Sequence, residues 1–142
     1  MPVTKAKTMR FLAALVVFCV LANAAKAQIY SCVLKPDTRY RWISARLDLV
    51  LDEASKSATV DDDFIADLYG KSIAATLRRR DANSVQIDWK IDGIRSKNFQ
   101  MALSANYAAV LRTDTGRIRL SVYPIGWSSL PRGSGRCTLV RP

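Results

Sequence analysis

The chain contains no histidine among its 142 residues, and this absence removes several kinds of active site. Without an imidazole there is no Ser-His-Asp or Cys-His arrangement, and the commonest zinc ligand is missing. The sequence also lacks a G-x-S-x-G elbow, a phosphate-loop lysine motif and a dinucleotide fingerprint. We therefore expect a protein without catalytic residues, cofactor or metal. A hydrolase that uses carboxylates alone is the remaining enzymatic alternative, although Glu53 is the only glutamate.

Long apolar runs are equally scarce, because the only one is Phe11 to Ala22. Lys5, Lys7 and Arg10 precede this run, and Ala25-Lys26-Ala27 follows it. A basic start, a short apolar centre and small residues at the end are the three parts of a secretory signal, with cleavage between Ala27 and Gln28. A spanning helix needs about 20 apolar residues. The sequence thus predicts a cleaved signal over 1–27, a single domain over 28–142, a periplasmic or secreted location, and no membrane span in the mature form.

Cysteine is rare, with three in the chain, of which Cys19 belongs to the predicted signal. Cys32 and Cys137 remain, 105 positions apart, and no C-x-x-C motif suggests a redox function. An even pair in an exported protein is expected to be oxidised. We predict a structural disulfide between Cys32 and Cys137.

Alternation of apolar and polar residues with a period of two dominates the remaining sequence, as at 45–52, 85–92 and 117–122. This pattern predicts strands with one buried and one solvated face, as in antiparallel sheets. About eight or nine short strands are expected, with a disulfide between the first and the last. The predicted fold is a small all-β antiparallel barrel, with a β-sandwich as the alternative.

Two hairpins can be registered from the sequence, because a slip by one residue would exchange the faces. A loop at 113–116 opposes Leu111 to Ile118, Ala109 to Leu120 and Tyr107 to Val122. A second loop at 79–83 opposes Leu77 to Val85, Ala75 to Ile87 and Ile73 to Trp89.

The stretch DDDFIADLYG (61–70) has helical rather than strand spacing. We predict a short helix or a packed loop there, with Asp61, Asp62 and Asp63 as capping acids. A calcium site is the functional alternative.

Positive charge is concentrated in the C-terminal part of the chain. Lys and Arg number 22 and Asp and Glu 12; without residues 1–27 the balance is 18 to 12. Residues 93–142 hold eight bases and one acid, Asp114. The residues predicted to contact an anionic partner are Arg112, Arg117, Arg119, Arg132 and Arg136. The alternative is a solvated charged face, and few aromatics interleave with the arginines, so nucleic acid is not an expected partner.

Two further features have alternative interpretations. Trp42 and Trp127 are candidates to line the mouth of the barrel or to plug it, whereas Trp89 alternates with polar neighbours and is expected in the core. The run PRGSGRC (131–137) is interpreted as a turn that delivers Cys137 to Cys32. Anion contact by Arg132 and Arg136 is the alternative.

A Tyr-x-Cys start (Tyr30 to Cys32) and a final Gly-x-Cys element (Gly135 to Cys137) resemble the small periplasmic β-barrel proteins of Gram-negative bacteria. The best understood of these are the inhibitors of C-type lysozyme, eight-stranded barrels with terminal cysteines. The resemblance implies the architecture. It does not extend to the inhibitory residues, because the Ser-Gly-x-x-Tyr loop and the Trp-x-Lys-Gly segment have no counterpart here.

Together these features favour an exported binding module that recognises an anionic envelope component or an acidic protein through a basic C-terminal face. A lipocalin-like carrier of a small apolar ligand and an inhibitor of an envelope hydrolase are the alternatives.

Overall fold

A computed structural model describes residues 26–36, 42–95 and 102–141. Most of the predicted signal, 1–25, lies outside the described residues, and the first strand begins at Gln28. One helix, α1 (Asp63–Tyr69), interrupts a series of eight strands. The strands are β1 (Gln28–Pro36), β2 (Arg46–Asp52), β3 (Ser57–Asp62), β4 (Ile73–Asp81), β5 (Ser84–Ile94), β6 (Leu103–Arg112), β7 (Arg117–Pro124) and β8 (Arg132–Arg141).

The eight strands form one closed barrel in which each strand pairs with its neighbours in sequence. Every pairing is antiparallel, including that of β1 with β8, which closes the sheet. Cys32 of β1 and Cys137 of β8 are direct cross-strand partners and form a disulfide, with their Cα atoms 3.9 Å apart. The barrel, rather than the sandwich, is therefore the correct architecture, and the predicted disulfide is confirmed. Closure removes the two free edges that an open sheet would expose.

The barrel interior is filled by the apolar half of the alternating pattern. Along β2, Leu47, Leu49 and Leu51 are at most 1 % exposed, while the residues between them are partly exposed. Inside the barrel the rings of Trp89 and Tyr107 stack, with centroids 5.4 Å apart. The buried side chains form one contiguous cluster, so the predicted core position of Trp89 is confirmed.

One hairpin register is confirmed and the other is wrong. Between β6 and β7 the three predicted apolar pairs occur as expected. Between β4 and β5, however, Leu77 pairs with Ile87 and not with Val85. The turn there is shorter than predicted, and a register shift lies between Arg79 and Asp81. The predicted register is displaced by two residues. Because the side-chain period of a strand is also two, the apolar side chains keep the predicted face.

The acidic stretch forms the predicted short helix, α1. The Asp62 carboxylate accepts a hydrogen bond from the Ile65 N–H at 2.8 Å, and Gly70 ends the helix in a left-handed conformation. Ile65 is fully buried. Within the described residues, no helix has the length and apolar character needed to cross a membrane.

The run PRGSGRC differs from its predicted structure, because β8 begins at Arg132 and the run is extended strand, not a turn. Its glycines allow β8 and β1 to approach each other closely. A Cβ atom on Gly135 would lie 1.9 Å from the Val33 carbonyl oxygen, and one on Gly133 would lie 3.2 Å from the Lys35 carbonyl oxygen. The β1 backbone therefore leaves no room for a side chain at Gly135 and little room for one at Gly133.

Candidate functional site

The outward side chains of β6, β7 and β8 carry the predicted arginines on one side of the barrel. All five are exposed, and we call them the basic wall: Arg112, Arg117, Arg119, Arg132 and Arg136. Side chains in a strand point alternately to its two faces, and these arginines alternate with buried residues such as Ile118, Leu120 and Cys137. They therefore point outward from the barrel.

Arg117 and Arg136 are direct cross-strand partners on β7 and β8. Directly opposed residues in an antiparallel pair have Cβ atoms about 4.5–5.5 Å apart, and like charges at that distance repel. Among the described residues, the ion pairs involve Arg46, Arg79, Lys90 and Arg112. No acidic side chain of the described chain therefore neutralises Arg117, Arg119 or Arg136, and this part of the wall is electrostatically unsatisfied.

Two open grooves meet at these arginines. The first, of about 780 Å³, extends from the end of β4 to β8, and the second, of about 570 Å³, lies over β1, β7 and β8. Arg117, Arg119 and Arg136 line both grooves. The remaining charged residues around the two are Arg80, Asp81 and Arg112 in the first and Lys35 in the second. A concave surface with this lining can hold an anion in contact with several cations at once.

Arg112 differs from its neighbours because it has an acidic partner. Its guanidinium donates to both carboxylate oxygens of Asp114, at 3.1 and 2.8 Å. This contact lowers the pKa of Asp114 and raises that of Arg112. Arg112 and Arg117 flank the β6–β7 turn, as predicted, and the Gly116 N–H donates to the Arg112 carbonyl at 2.8 Å. Arg112 thus contributes less uncompensated charge than Arg117.

Arg132 lies at the far end of the basic wall, opposite Ser121. A third depression, of about 380 Å³, contains Arg132, Ser134 and Arg119. It adjoins the second groove, which also includes Ser134 and Arg119. The wall is consequently one continuous surface along the outside of β7 and β8.

Lys35, Arg80 and Ser134 are among the residues of this surface that were absent from the sequence-based prediction. Lys35 pairs with Ser134 across the β1–β8 closure. The disulfide was the signal that could have located it, because antiparallel pairing that opposes Cys32 to Cys137 also opposes Lys35 to Ser134. Arg80 lines the first groove from the end of β4, and local sequence provides no signal for this placement.

Trp42 and Trp127 meet at the opposite end of the barrel from the β6–β7 turn. Their rings contact edge to face, with centroids 6.1 Å apart. Trp42 is buried, and its carbonyl accepts a hydrogen bond from the Tyr107 hydroxyl at 2.8 Å. Burial raises the pKa of that hydroxyl. Both tryptophans therefore pack over this end of the interior, and the mouth and plug interpretations both stay predictions.

The acidic cluster is engaged in structural contacts. Asp62 caps α1, Asp63 accepts hydrogen bonds from Ser44 and Arg46, and Asp61 lies 3.6 Å from the Arg46 guanidinium. In the described part of the chain no group of three metal-ligating side chains is arranged to hold an ion.

A scan against protein-family models and searches of curated proteins and of solved structures found no match to this chain.

Proposed function

We propose that the protein is a non-enzymatic binding module of the periplasm that recognises an anionic envelope component or an acidic protein through the basic wall. The observation that carries this proposal is the direct opposition of Arg117 and Arg136 without an acidic side chain to neutralise them. An anionic partner would convert this repulsion into attraction.

The arrangement of bases and acids supports a localised site rather than a uniformly charged protein. Elsewhere on the barrel, two arginines have acidic partners: Arg46 contacts Asp48, and Arg79 contacts Glu53. Of Arg112, Arg117, Arg119 and Arg136, only Arg112 has such an acidic partner among the described residues. Unneutralised cations in a concave surface concentrate the field there and speed the capture of anions.

The packed interior favours a surface site over the carrier alternative. Inward side chains such as Val60, Ile87 and Leu111 are completely buried within a single cluster. A lipocalin-like carrier needs an interior cavity for its ligand. The grooves that adjoin the arginines lie instead on the outside of the barrel.

The proposal is tested by measuring binding to lipopolysaccharide and to poly-L-glutamate over a range of salt concentrations. We expect the dissociation constant to rise steeply with salt, because exposed charges are screened. The variant R117Q/R119Q/R136Q should bind about tenfold more weakly, since three exposed contacts of about 0.5 kcal/mol each total about 1.5 kcal/mol.

The matched control is K56Q/K71Q/R78Q, which removes the same charge from exposed positions outside the basic wall. If this control weakens binding as much as the wall variant does, net charge rather than the site is responsible and the proposed site is wrong. Absence of binding to both polyanions, or binding that is independent of salt, would refute the proposal.

A further inference from the structure

Ser134 lies at the centre of the basic wall, and four basic residues surround it. It faces outward from β8 and is exposed. Across one strand boundary its partner is Lys35 of β1, and across the other it is Arg119 of β7. Arg132 and Arg136 lie two residues before and after it on the same face of β8. A hydroxyl group thus has a cation on each of four sides.

The register gives approximate dimensions for this cluster. Direct cross-strand partners have Cβ atoms about 4.5–5.5 Å apart, and residues two apart on one strand are separated by about 6.5–7 Å. Long basic side chains at these separations can converge on one small anion over Ser134. An anion there would accept a hydrogen bond from the hydroxyl and several from the cations.

The glycines of β8 bring Lys35 into this arrangement. Gly133 and Gly135 flank Ser134; the β1 backbone approaches Gly135 too closely for a Cβ atom, and the Lys35 carbonyl oxygen would lie 3.2 Å from a Cβ atom on Gly133. The closure of the barrel therefore places Lys35 beside Ser134, and the same residues, Lys35, Ser134, Arg119 and Arg136, line the second groove.

We propose that Ser134, with Lys35, Arg119 and Arg136, forms a binding site for a phosphomonoester group. This inference rests on the proposed function of the basic wall and names the chemistry that the wall recognises. A phosphomonoester carries nearly two negative charges at neutral pH and three acceptor oxygens, which matches a site with three cations and a hydroxyl donor. Guanidinium groups suit it because their N–H groups pair with two phosphate oxygens at once.

The phosphomonoester has two possible sources, a soluble phosphorylated sugar or the headgroup of a lipid. Val33 is the direct partner of Arg136 and is 67 % exposed, so an apolar side chain borders the site. V33S is therefore expected to weaken binding of a lipid-borne phosphate and to leave binding of a soluble one unchanged.

The test compares glucose 6-phosphate with glucose 6-sulfate at about pH 8, where the second phosphate proton, with a pKa of about 6, is lost. We expect the phosphate ester to bind about tenfold more tightly, and S134A to weaken its binding about tenfold through loss of a charge-assisted hydrogen bond. S31A is the matched control, because Ser31 is an exposed, outward residue of β1 that pairs with Thr138 away from the cluster. For a lipid-borne phosphate, the test compares binding to phosphatidylcholine vesicles that contain phosphatidic acid with binding to vesicles that contain phosphatidylglycerol.

Equal binding of the two sugar esters together with no preference for phosphatidic acid would overturn the inference, as would an S134A variant that binds like the wild type. If polyanions still bind and R117Q/R119Q/R136Q still weakens that binding, the proposed function stands and only the phosphate site is wrong. If neither phosphate esters nor polyanions bind, both are wrong.

Discussion

Arg117 and Arg136 face each other across the β7–β8 pairing, and no acidic side chain of the described residues neutralises either one. Two like charges in direct opposition destabilise a sheet by about 0.2–1 kcal/mol. The barrel thus keeps an unfavourable pair at a groove, where an anionic ligand would make it favourable.

Replacement of Arg136 should therefore affect stability and binding in opposite directions. We expect R136Q to raise the free energy of unfolding by up to about 1 kcal/mol, while it weakens binding to polyanions. Urea denaturation at low salt measures the first quantity and titration with poly-L-glutamate the second. R78Q, which removes an exposed arginine that donates to Gln86 at 2.8 Å, is the control and should not stabilise the protein. A less stable R136Q would show that the pair is not repulsive.

Loss of the disulfide should lower stability markedly, because Cys32 and Cys137 close a loop of 105 positions. The loop-entropy treatment assigns about 4–5 kcal/mol to a closure of this length. We expect C32S/C137S, and wild-type protein under reducing conditions, to unfold at clearly lower urea concentration than oxidised wild type. Identical urea midpoints for oxidised and reduced protein would contradict a stabilising function for this bond.

Gly135 should tolerate no side chain. In G135A the new Cβ atom would lie 1.9 Å from the Val33 carbonyl oxygen, so β1 and β8 would have to separate beside the disulfide. We expect a loss of at least about 2 kcal/mol, at the upper part of the range for overpacking. G93A is the control: Gly93 has φ 79° but open space around it, so only backbone strain of about 1–2 kcal/mol applies. If thermal or urea unfolding shows that G135A and G93A lose the same amount of stability, the close contact between β1 and β8 does not destabilise G135A beyond ordinary backbone strain.

Asp62 should make stability depend on pH in a defined direction. Burial raises the pKa of this carboxyl, so the folded state binds its proton more tightly than the unfolded state does. Its contribution to stability is complete below the unfolded pKa of about 4 and decreases as the pH rises through the higher folded pKa. Asparagine keeps the helix cap without the charge. The free energy of unfolding of D62N should therefore equal that of wild type near pH 3 and exceed it at pH 7.

The control for this prediction is D62A, which loses the hydrogen bond to the Ile65 N–H and should cost about 1 kcal/mol. Urea denaturation of the three proteins at both pH values measures the differences. A D62N variant less stable than wild type at pH 7 would mean that the charged carboxylate is favoured in the folded protein.

Several elements were predictable because they depend on local periodicity. The β6–β7 register follows from apolar residues on both sides of a turn at 113–116, and it is confirmed pair by pair. The β4–β5 register was wrong by two residues because several polar residues, Arg78 to Asn83, fit either the strands or the turn. The register shift near Arg80 places an extra residue in one strand, and the hydrophobic pattern does not reveal it.

The prediction of a turn at PRGSGRC was wrong for a different reason. Glycine and proline usually indicate a turn, but here the glycines leave room for a neighbouring strand. Gly135 is required because the Val33 carbonyl occupies the place of a side chain. Such a contact joins residues about 100 positions apart, and no local rule can anticipate it.

The alternation of apolar and polar residues and a single cysteine pair were sufficient to specify a sheet whose first and last strands join. Side-chain burial in strands has a strict period of two, and a disulfide holds two distant residues together. They also placed the arginines on the outer face. Only the closed barrel decided which of these arginines oppose each other and which residues join them. Lys35, Arg119 and Ser134 come from three strands, and their assembly depends on how the sheet curves and closes, a property of the whole chain.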